Sequence, residues 1–204
     1  MGPATRLLIA ANVAVFALQN VLGDSLVLNF ALWPLGRFPV SGLQTEVGFH
    51  FWQLITSAFL HGSFTHLLLN MLALWMFGRD IEAILGTRGY LSLYTAALLS
   101  GSVAQLIVVS MSDGPIYPTV GASGGVFGIL LAFGMFFPRR TVVPLFPPIP
   151  MPAWLFVTLY GLLELYFGVT GTVAGVAHFA HLGGMLGAWL IIRHWRGGPP
   201  STRR

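Results

Sequence analysis

A single serine among small residues is the first feature of this sequence that could do chemistry. Ser123 lies in the run Gly121-Ala122-Ser123-Gly124-Gly125, where an apolar segment begins. The G-x-S-x-G pattern is typical of the strained turn that exposes a nucleophilic serine in soluble hydrolases, but that turn needs a strand before it and a soluble sheet around it. Alternatively, the glycines only let two membrane helices approach closely. The pentapeptide alone leaves both interpretations open.

The composition decides the environment in which this serine must work. Of 204 residues, 55% are hydrophobic and 8% are charged, whereas charged residues make up about a quarter of a typical soluble domain. The sequence therefore predicts a protein embedded in a lipid bilayer. It contains no cysteine, which excludes disulfides and thiolate metal sites. The basic residues are all arginines scattered at the ends of apolar segments, so we expect no nucleic-acid partner.

The apolar segments predict an all-α, polytopic membrane bundle of six transmembrane helices in one domain over residues 1–204. A first loop at about 24–60 is expected to lie partly at the membrane interface, where its aromatic stretch from Phe49 to Phe59 suits an interfacial helix. Residues 195–204 form a predicted cytoplasmic tail. The predicted spans are residues 5–23, 63–84, 90–111, 123–137, 153–169 and 173–192.

The fourth span is predicted to be short and to begin at the serine. At 1.5 Å per residue it reaches about 22 Å, less than a hydrocarbon core of about 30 Å, so Ser123 should lie roughly 8 Å below the far membrane face. With six spans both termini lie on the same side of the membrane, and every arginine except Arg37 lies on that side. The positive-inside rule then places the termini in the cytoplasm and opens the serine toward the outside of the cell membrane.

Polar residues inside apolar spans are costly and are functional candidates by default. His181 lies about twelve residues, or roughly 18 Å, from the cytoplasmic end of the last span, which is close to the depth of Ser123. Gly183, Gly184 and Gly187 would let that span approach the fourth one. His66 and Asn70 are four residues apart, so they share one helical face. For any single histidine here, interhelical hydrogen bonding is the alternative role.

Three stretches together resemble the rhomboid family of intramembrane serine proteases. They are Gly121-Ala122-Ser123-Gly124, the last-span run Ala180-His181-Leu182-Gly183-Gly184, and the second-span run from His61 through His66 to Asn70. The resemblance implies a serine endopeptidase in which Ser123 is the nucleophile and His181 the general base, as a dyad with no acidic third member. It also implies that His66, Asn70 and the backbone N–H of Ser123 stabilise the oxyanion.

The sequence departs from the family pattern at two places. Phe127 stands where the family usually has a tyrosine that stacks on the catalytic histidine, and we expect the stacking to survive. The Trp-Arg pair of the first loop is missing, because Pro34 follows Trp33.

Further residues are expected to support the site. Gly121 belongs to the serine motif, and His61 is expected at the mouth of the site. His178, three residues before His181, could tune that histidine or only hydrogen-bond a neighbouring helix. Glu164 is expected only to hydrogen-bond within the bundle.

Two other functions remain open from the sequence. A transporter could bind a metal ion through His61, His66, His178 and His181, since imidazole is a common ligand. A catalytically silent relative could bind and escort membrane proteins, although that class usually lacks the serine or the histidine. A zinc protease is excluded, because His178-Phe-Ala-His181 has no glutamate at the H-E-x-x-H position. We expect no metal and no cofactor, and we expect transmembrane proteins as substrates.

Overall fold

The computed structural model describes residues 1–39, 45–111, 116–171 and 176–195. The described chain is mostly helical. Its α-helices are α1 (Pro3–Leu22), α2 (Asp24–Phe30), α3 (Gln53–Thr56), α4 (Phe64–Ala73), α5 (Arg79–Ser110), α6 (Ser123–Phe136), α7 (Ala153–Thr170) and α8 (His178–His194). The predicted tail after Trp195 and the first residues of the predicted sixth span, 173–175, lie outside the described residues.

Two short antiparallel hairpins interrupt the helices. Strand β1 (Arg37–Pro39) pairs with β2 (Glu46–Gly48) in the first loop. Strand β3 (Thr141–Val142) pairs with β4 (Met151–Pro152) between α6 and α7. Both hairpins lie in connections rich in proline, so they join the helices without forming a core sheet.

Three helical stretches among the described residues are long and apolar enough to cross a membrane: Pro3–Leu22, Phe64–Ser110 and Ala153–Thr170. The second stretch is continuous through a π-helical turn at Leu74–Gly78, but Gly86 has φ 67° and ψ 167°, which is not helical. That break falls between the second and third predicted spans. The helix that begins at Ser123 is apolar and has 14 residues.

Among the described helices, α5, α6 and α8 pack most closely against one another. Glycines make this packing possible, because an added Cβ on Gly183 would meet the Ser100 carbonyl oxygen of α5 at 2.8 Å. On Gly187 it would meet the Ala96 carbonyl oxygen at 2.6 Å. These two glycines therefore permit close helix contact, but with α5, the third predicted span, and not with the fourth span as predicted.

Gln53 organises the first loop, a role that the sequence analysis missed. Its buried side-chain oxygen accepts hydrogen bonds from the backbone N–H groups of His50 (3.0 Å) and Trp33 (3.3 Å), and its amide donates to Gly48 O (3.2 Å). The predicted interfacial helix from Phe49 was wrong at its start: α3 begins only at Gln53 and continues as a 3₁₀ turn to Phe59. The reason is that residues before Gln53 fold back onto its side chain.

Glu82 of α5 forms hydrogen bonds with the first turn of α1. Its buried carboxylate accepts hydrogen bonds from the backbone N–H groups of Ala4 and Thr5, both at 2.9 Å, and from the hydroxyls of Thr5 (2.7 Å) and Thr87 (3.1 Å). The first N–H groups of a helix have no partner within the helix, and a carboxylate there also interacts favourably with the helix dipole. Glu82 therefore supplies the cap that α1 lacks in its own sequence.

Replacing Glu82 with glutamine should destabilise the fold by about 2–3 kcal/mol. The glutamine NH2 group would replace one of the two carboxylate oxygens that accept hydrogen bonds from N–H and hydroxyl groups. Hydrogen bonds to a charged acceptor are worth about 1.5–3 kcal/mol each. The measurement is the free energy of unfolding of the purified protein in detergent micelles. Glu46→Gln is the matched control, because Glu46 is exposed and its ion pair with Arg37 is long, at 4.0 Å. Equal stability of the two variants would contradict the capping role of Glu82.

Candidate active site

Ser123 is the first residue of α6. The turn that leads into this helix contains Gly121, whose backbone conformation favours glycine. Gly121 has φ 124°, a conformation that side-chain-bearing residues rarely adopt. A Cβ built there would also lie 2.7 Å from the His66 ring. The Gly121 N–H donates to Ser57 O at 2.9 Å, which fixes this turn against the 3₁₀ turn after α3. Ser123 therefore enters the helix with its side chain beside the start of α4.

His181 on α8 reaches the serine directly. Its Nε2 lies 2.8 Å from Ser123 Oγ, and the residue is buried, with 8% of its surface exposed. Phe127, one helical turn after Ser123, stacks on the imidazole with ring centroids 4.2 Å apart and an interplanar angle of 6°. The stacking contact expected from the sequence is present. The imidazole is thus held on one face by an aromatic ring and at one edge by a hydroxyl.

The approach of α8 to α6 depends on a glycine opposite the serine. A Cβ built on Gly184 would overlap the carbonyl oxygen of Gly124, the residue that follows Ser123. Gly184 lies three residues after His181, so it shares a helix face with it. The glycine thus brings the backbone of α8 close enough for the histidine to bond the serine.

An acidic residue contacts the histidine, contrary to the expectation of no acidic third member. Glu164 Oε2 on α7 lies 2.8 Å from His181 Nδ1 and 2.7 Å from His178 Nδ1. The sequence places Glu164 in a different span from His181, and the structure brings the two side chains together. The expected hydrogen bonds of His178 and Glu164 within the bundle are confirmed by these contacts.

His66 lies beside Ser123, while Asn70 is one turn further along α4. A Cβ built on Gly121 would lie 2.7 Å from His66 Nε2 and 3.7 Å from Ser123 Oγ. Both side chains therefore lie close to Gly121 and to each other. Ser63 caps α4 by accepting a hydrogen bond from the His66 N–H at 3.1 Å. The buried Asn70 amide donates to His66 O at 3.0 Å. Both residues therefore lie on the face predicted from their spacing.

His61 is buried, with 1% of its surface exposed, so it does not lie at an open mouth as expected. The Gln19 side chain of α1 draws it inward by hydrogen-bonding its backbone N–H (3.1 Å) and C=O (3.0 Å). Its ring contacts the His66 ring with centroids 5.0 Å apart. Burial, with a smaller effect of His66, lowers the pKa of His61 to about 4, so this imidazole is neutral near pH 7.

One group of side chains in the described chain has the residue types of a metal site. The ligand atoms of Glu164, His178 and His181 all lie within 4.8 Å of one another. A zinc ion would sit about 2.0–2.2 Å from each ligand atom. Here both imidazole nitrogens lie at hydrogen-bond distance from the same carboxylate oxygen, 2.7 and 2.8 Å. The observed arrangement is that of a hydrogen-bonded cluster.

A small cavity of about 20 Å³ adjoins the serine. Among the residues that line it are Ser57, Ser102 and Ser123 itself. A cavity of roughly 10–15 Å³ holds one water molecule when polar groups surround it. This cavity therefore has room for a single water next to Ser123.

The sequence profile of the Rhomboid domain matches residues 48–195, about seven tenths of the chain. The chain belongs to the rhomboid family. The matched segment contains Ser123, His181, His66, Asn70 and Glu164.

Three rhomboid relatives show how far the similarity extends. Rhomboid protein 1, mitochondrial, of Saccharomyces cerevisiae is 35% identical over an alignment of 141 residues that covers 65% of this chain and 38% of the yeast protein. RHOMBOID-like protein 12, mitochondrial, of Arabidopsis thaliana is 32% identical over an alignment of 205 residues that covers 93% of this chain and 58% of the relative. Rhomboid protease GlpG of Enterobacter is 36% identical over 133 residues, 64% of this chain and 41% of the relative. This rhomboid thus spans less than two thirds of the length of each relative.

The contact of Glu164 with His181 is the part of this arrangement that the sequence did not predict. The available signal was the cost of a carboxylate inside an apolar span, which requires nearby hydrogen-bond donors. His178 and His181 are three residues apart and so present two imidazoles on one face of the neighbouring span. Those two imidazoles are available donors for the Glu164 carboxylate, but their spacing does not fix which face of α7 meets them.

Proposed function

We propose that this rhomboid is an intramembrane serine endopeptidase that hydrolyses peptide bonds in or near the transmembrane segments of membrane proteins. The observation that carries the proposal is the 2.8 Å contact between Ser123 Oγ and His181 Nε2 at the start of an apolar helix. A serine hydroxyl is a weak nucleophile until a neighbouring base accepts its proton. Membership of a family that includes a protein named as a protease supports the same reaction.

The reaction follows from the positions of these two groups. Ser123 Oγ attacks the peptide carbonyl carbon while its proton passes to His181 Nε2, and His181 then gives that proton to the leaving amine. A water molecule next attacks the acyl-enzyme, with His181 again as the base. The cavity that Ser123 lines has room for one such water.

The developing oxyanion requires donors on the side of Ser123 away from His181. Because Ser123 opens α6, its backbone N–H and the positive end of the helix dipole face the same region. We assign the His66 side chain as a second donor, since it lies against Gly121 next to the serine. Asn70 completes the set from the same helix face.

The substitution His66→Ala should lower kcat about 10²–10³-fold, the usual effect of removing one oxyanion donor. Single-turnover hydrolysis of a transmembrane test substrate in liposomes measures this loss. His50→Ala is the matched control, because His50 is exposed and stacks on Trp52 in the first loop, with centroids 4.4 Å apart. A His66 variant as fast as the His50 variant would remove His66 from the oxyanion site.

The proposed setting is a six-span bundle in one domain over residues 1–204, with its short fourth span beginning at Ser123. The arginine distribution supports cytoplasmic termini and a site that opens toward the outer face of a cell membrane. The relatives named as mitochondrial make an organelle membrane the alternative location. A peptide bond in a substrate helix is shielded by its own hydrogen bond, so substrates with helix-weakening residues near that face should be preferred.

Labelling of Ser123 by a fluorophosphonate separates the protease from a silent relative. The probe reacts with an activated serine, so the native protein should be labelled at Ser123 and the heat-denatured protein should not. Absence of labelling in a folded preparation that binds membrane proteins would favour the silent relative. A transporter that uses the histidines would instead purify with stoichiometric zinc or a similar ion, and its function would disappear with chelation.

A further inference from the structure

We propose that Glu164 is a positioning residue for His181, so that this rhomboid works with a Ser123–His181–Glu164 triad. The inference rests on the proposed serine chemistry and adds a residue to it. Its basis is the chain of contacts from Ser123 Oγ to His181 Nε2 (2.8 Å) and from His181 Nδ1 to Glu164 Oε2 (2.8 Å).

The carboxylate fixes which nitrogen of His181 can act as a base. An ionised carboxylate oxygen can only accept hydrogen bonds, so His181 must carry its proton on Nδ1. Its Nε2 then presents a lone pair to the Ser123 hydroxyl, which is the tautomer that general-base catalysis needs. Without the acid, the neutral imidazole could carry its proton on either nitrogen.

The acid also stabilises the charge that forms during attack. When the Ser123 proton moves to His181 Nε2, the ring becomes an imidazolium while its Nδ1 proton stays in place. Glu164 remains a carboxylate and forms a charge-assisted hydrogen bond with that cation. Its side chain is only 14% exposed, so the attraction is screened less than it would be in water.

The fold of α7 directs Glu164 toward α8. Gly161 and Gly168 lie three residues before it and four residues after it, so all three share one helix face. A Cβ built on Gly161 would touch the Met185 side chain at 3.5 Å, and one on Gly168 would meet His178 Cβ at 3.2 Å. This face of α7 therefore lies against α8, with the carboxylate directed at the two imidazoles.

His178 shares the same carboxylate oxygen at 2.7 Å and has another role in the cluster. A buried carboxylate needs several donors, and the second imidazole supplies one of them without contacting the serine. The cluster could therefore serve only to tie α7 to α8, in which case Glu164 and His178 would matter equally. The triad predicts that the acid affects the reaction rate far more than His178 does.

The test compares Glu164→Gln, His178→Gln, Ser123→Ala and the control Thr158→Val in liposomes that contain a transmembrane test substrate. Thr158 is an exposed residue of α7 that bonds only its own helix. Glu164→Gln should lower kcat about 10²–10⁴-fold with KM nearly unchanged, the range for a misplaced general base. His178→Gln should lose at most about tenfold, and Thr158→Val should match the parent protein.

A second measurement does not depend on how well the Glu164 variant folds. Proton NMR of the His178→Gln protein with ¹⁵N-labelled histidine should show one strongly deshielded Nδ1–H, that of His181 bonded to the carboxylate. Absence of this resonance, or a folded Glu164→Gln protein with the kcat of the Thr158 variant, would overturn the triad alone. Full hydrolysis by Ser123→Ala would overturn the proposed protease and the triad with it.

Discussion

Replacing Ser123 with alanine is expected to lower kcat for peptide-bond hydrolysis about a million-fold, the loss seen when a serine protease loses its nucleophile. Without the hydroxyl no acyl-enzyme forms, and His181 has no proton to accept. The fold should persist, because Ser123 contributes no helix cap of its own and its hydroxyl contact is the one to His181. Cleavage of a transmembrane test substrate in liposomes, together with thermal unfolding in detergent, measures both quantities.

His181→Ala should cost about as much as Ser123→Ala, and the double variant should be no slower than either single one. Groups that act as one unit lose their effect together, so their losses in free energy do not add. Ser92→Ala is the matched control, because Ser92 is an exposed serine of α5 that bonds only Arg88 O. Two independent losses that multiply in the double variant would show that the residues do not act on the same step.

The serine and the histidine could be paired from the sequence because the depth of each residue can be counted from the same membrane face. Each span has a fixed rise per residue, so counting from the arginine-rich side gave similar depths for Ser123 and His181. Depth alone would not establish contact. Gly184 added the second condition, because it lets α8 lie close enough to Gly124 of α6 for side chains of the two helices to meet.

Glu164 could not be placed in the same way, because its contact depends on how α7 is rotated about its axis. Depth counting says how far a residue lies from a membrane face but not which neighbour it faces. The rotation is set by Gly161 and Gly168 packing on α8, which involves side chains of both helices. Gln53 was missed for a related reason, since its partners Trp33 and Gly48 are brought together only by the folded loop.

A single methyl group at position 184 should separate the serine from the histidine. The added Cβ of Gly184→Ala would overlap Gly124 O, a backbone atom that cannot move without shifting α6. Overpacking of this kind costs about 1–3 kcal/mol of stability. His181 lies one turn before Gly184, so an outward shift of α8 lengthens the Ser123–His181 contact, and a displacement of about 1 Å in an active site lowers kcat about 10²-fold.

Gly161→Ala makes the same chemical change on the neighbouring helix α7, and we expect it to raise the free energy of unfolding where Gly184→Ala lowers it. Its Cβ would only touch the flexible Met185 side chain at 3.5 Å, while alanine is favoured over glycine inside a helix by about 1 kcal/mol. The free energy of unfolding in detergent should therefore rise for Gly161→Ala and fall for Gly184→Ala, with kcat lost only in the latter. Equal behaviour of the two variants would mean that close contact between α6 and α8 does not hold the site together.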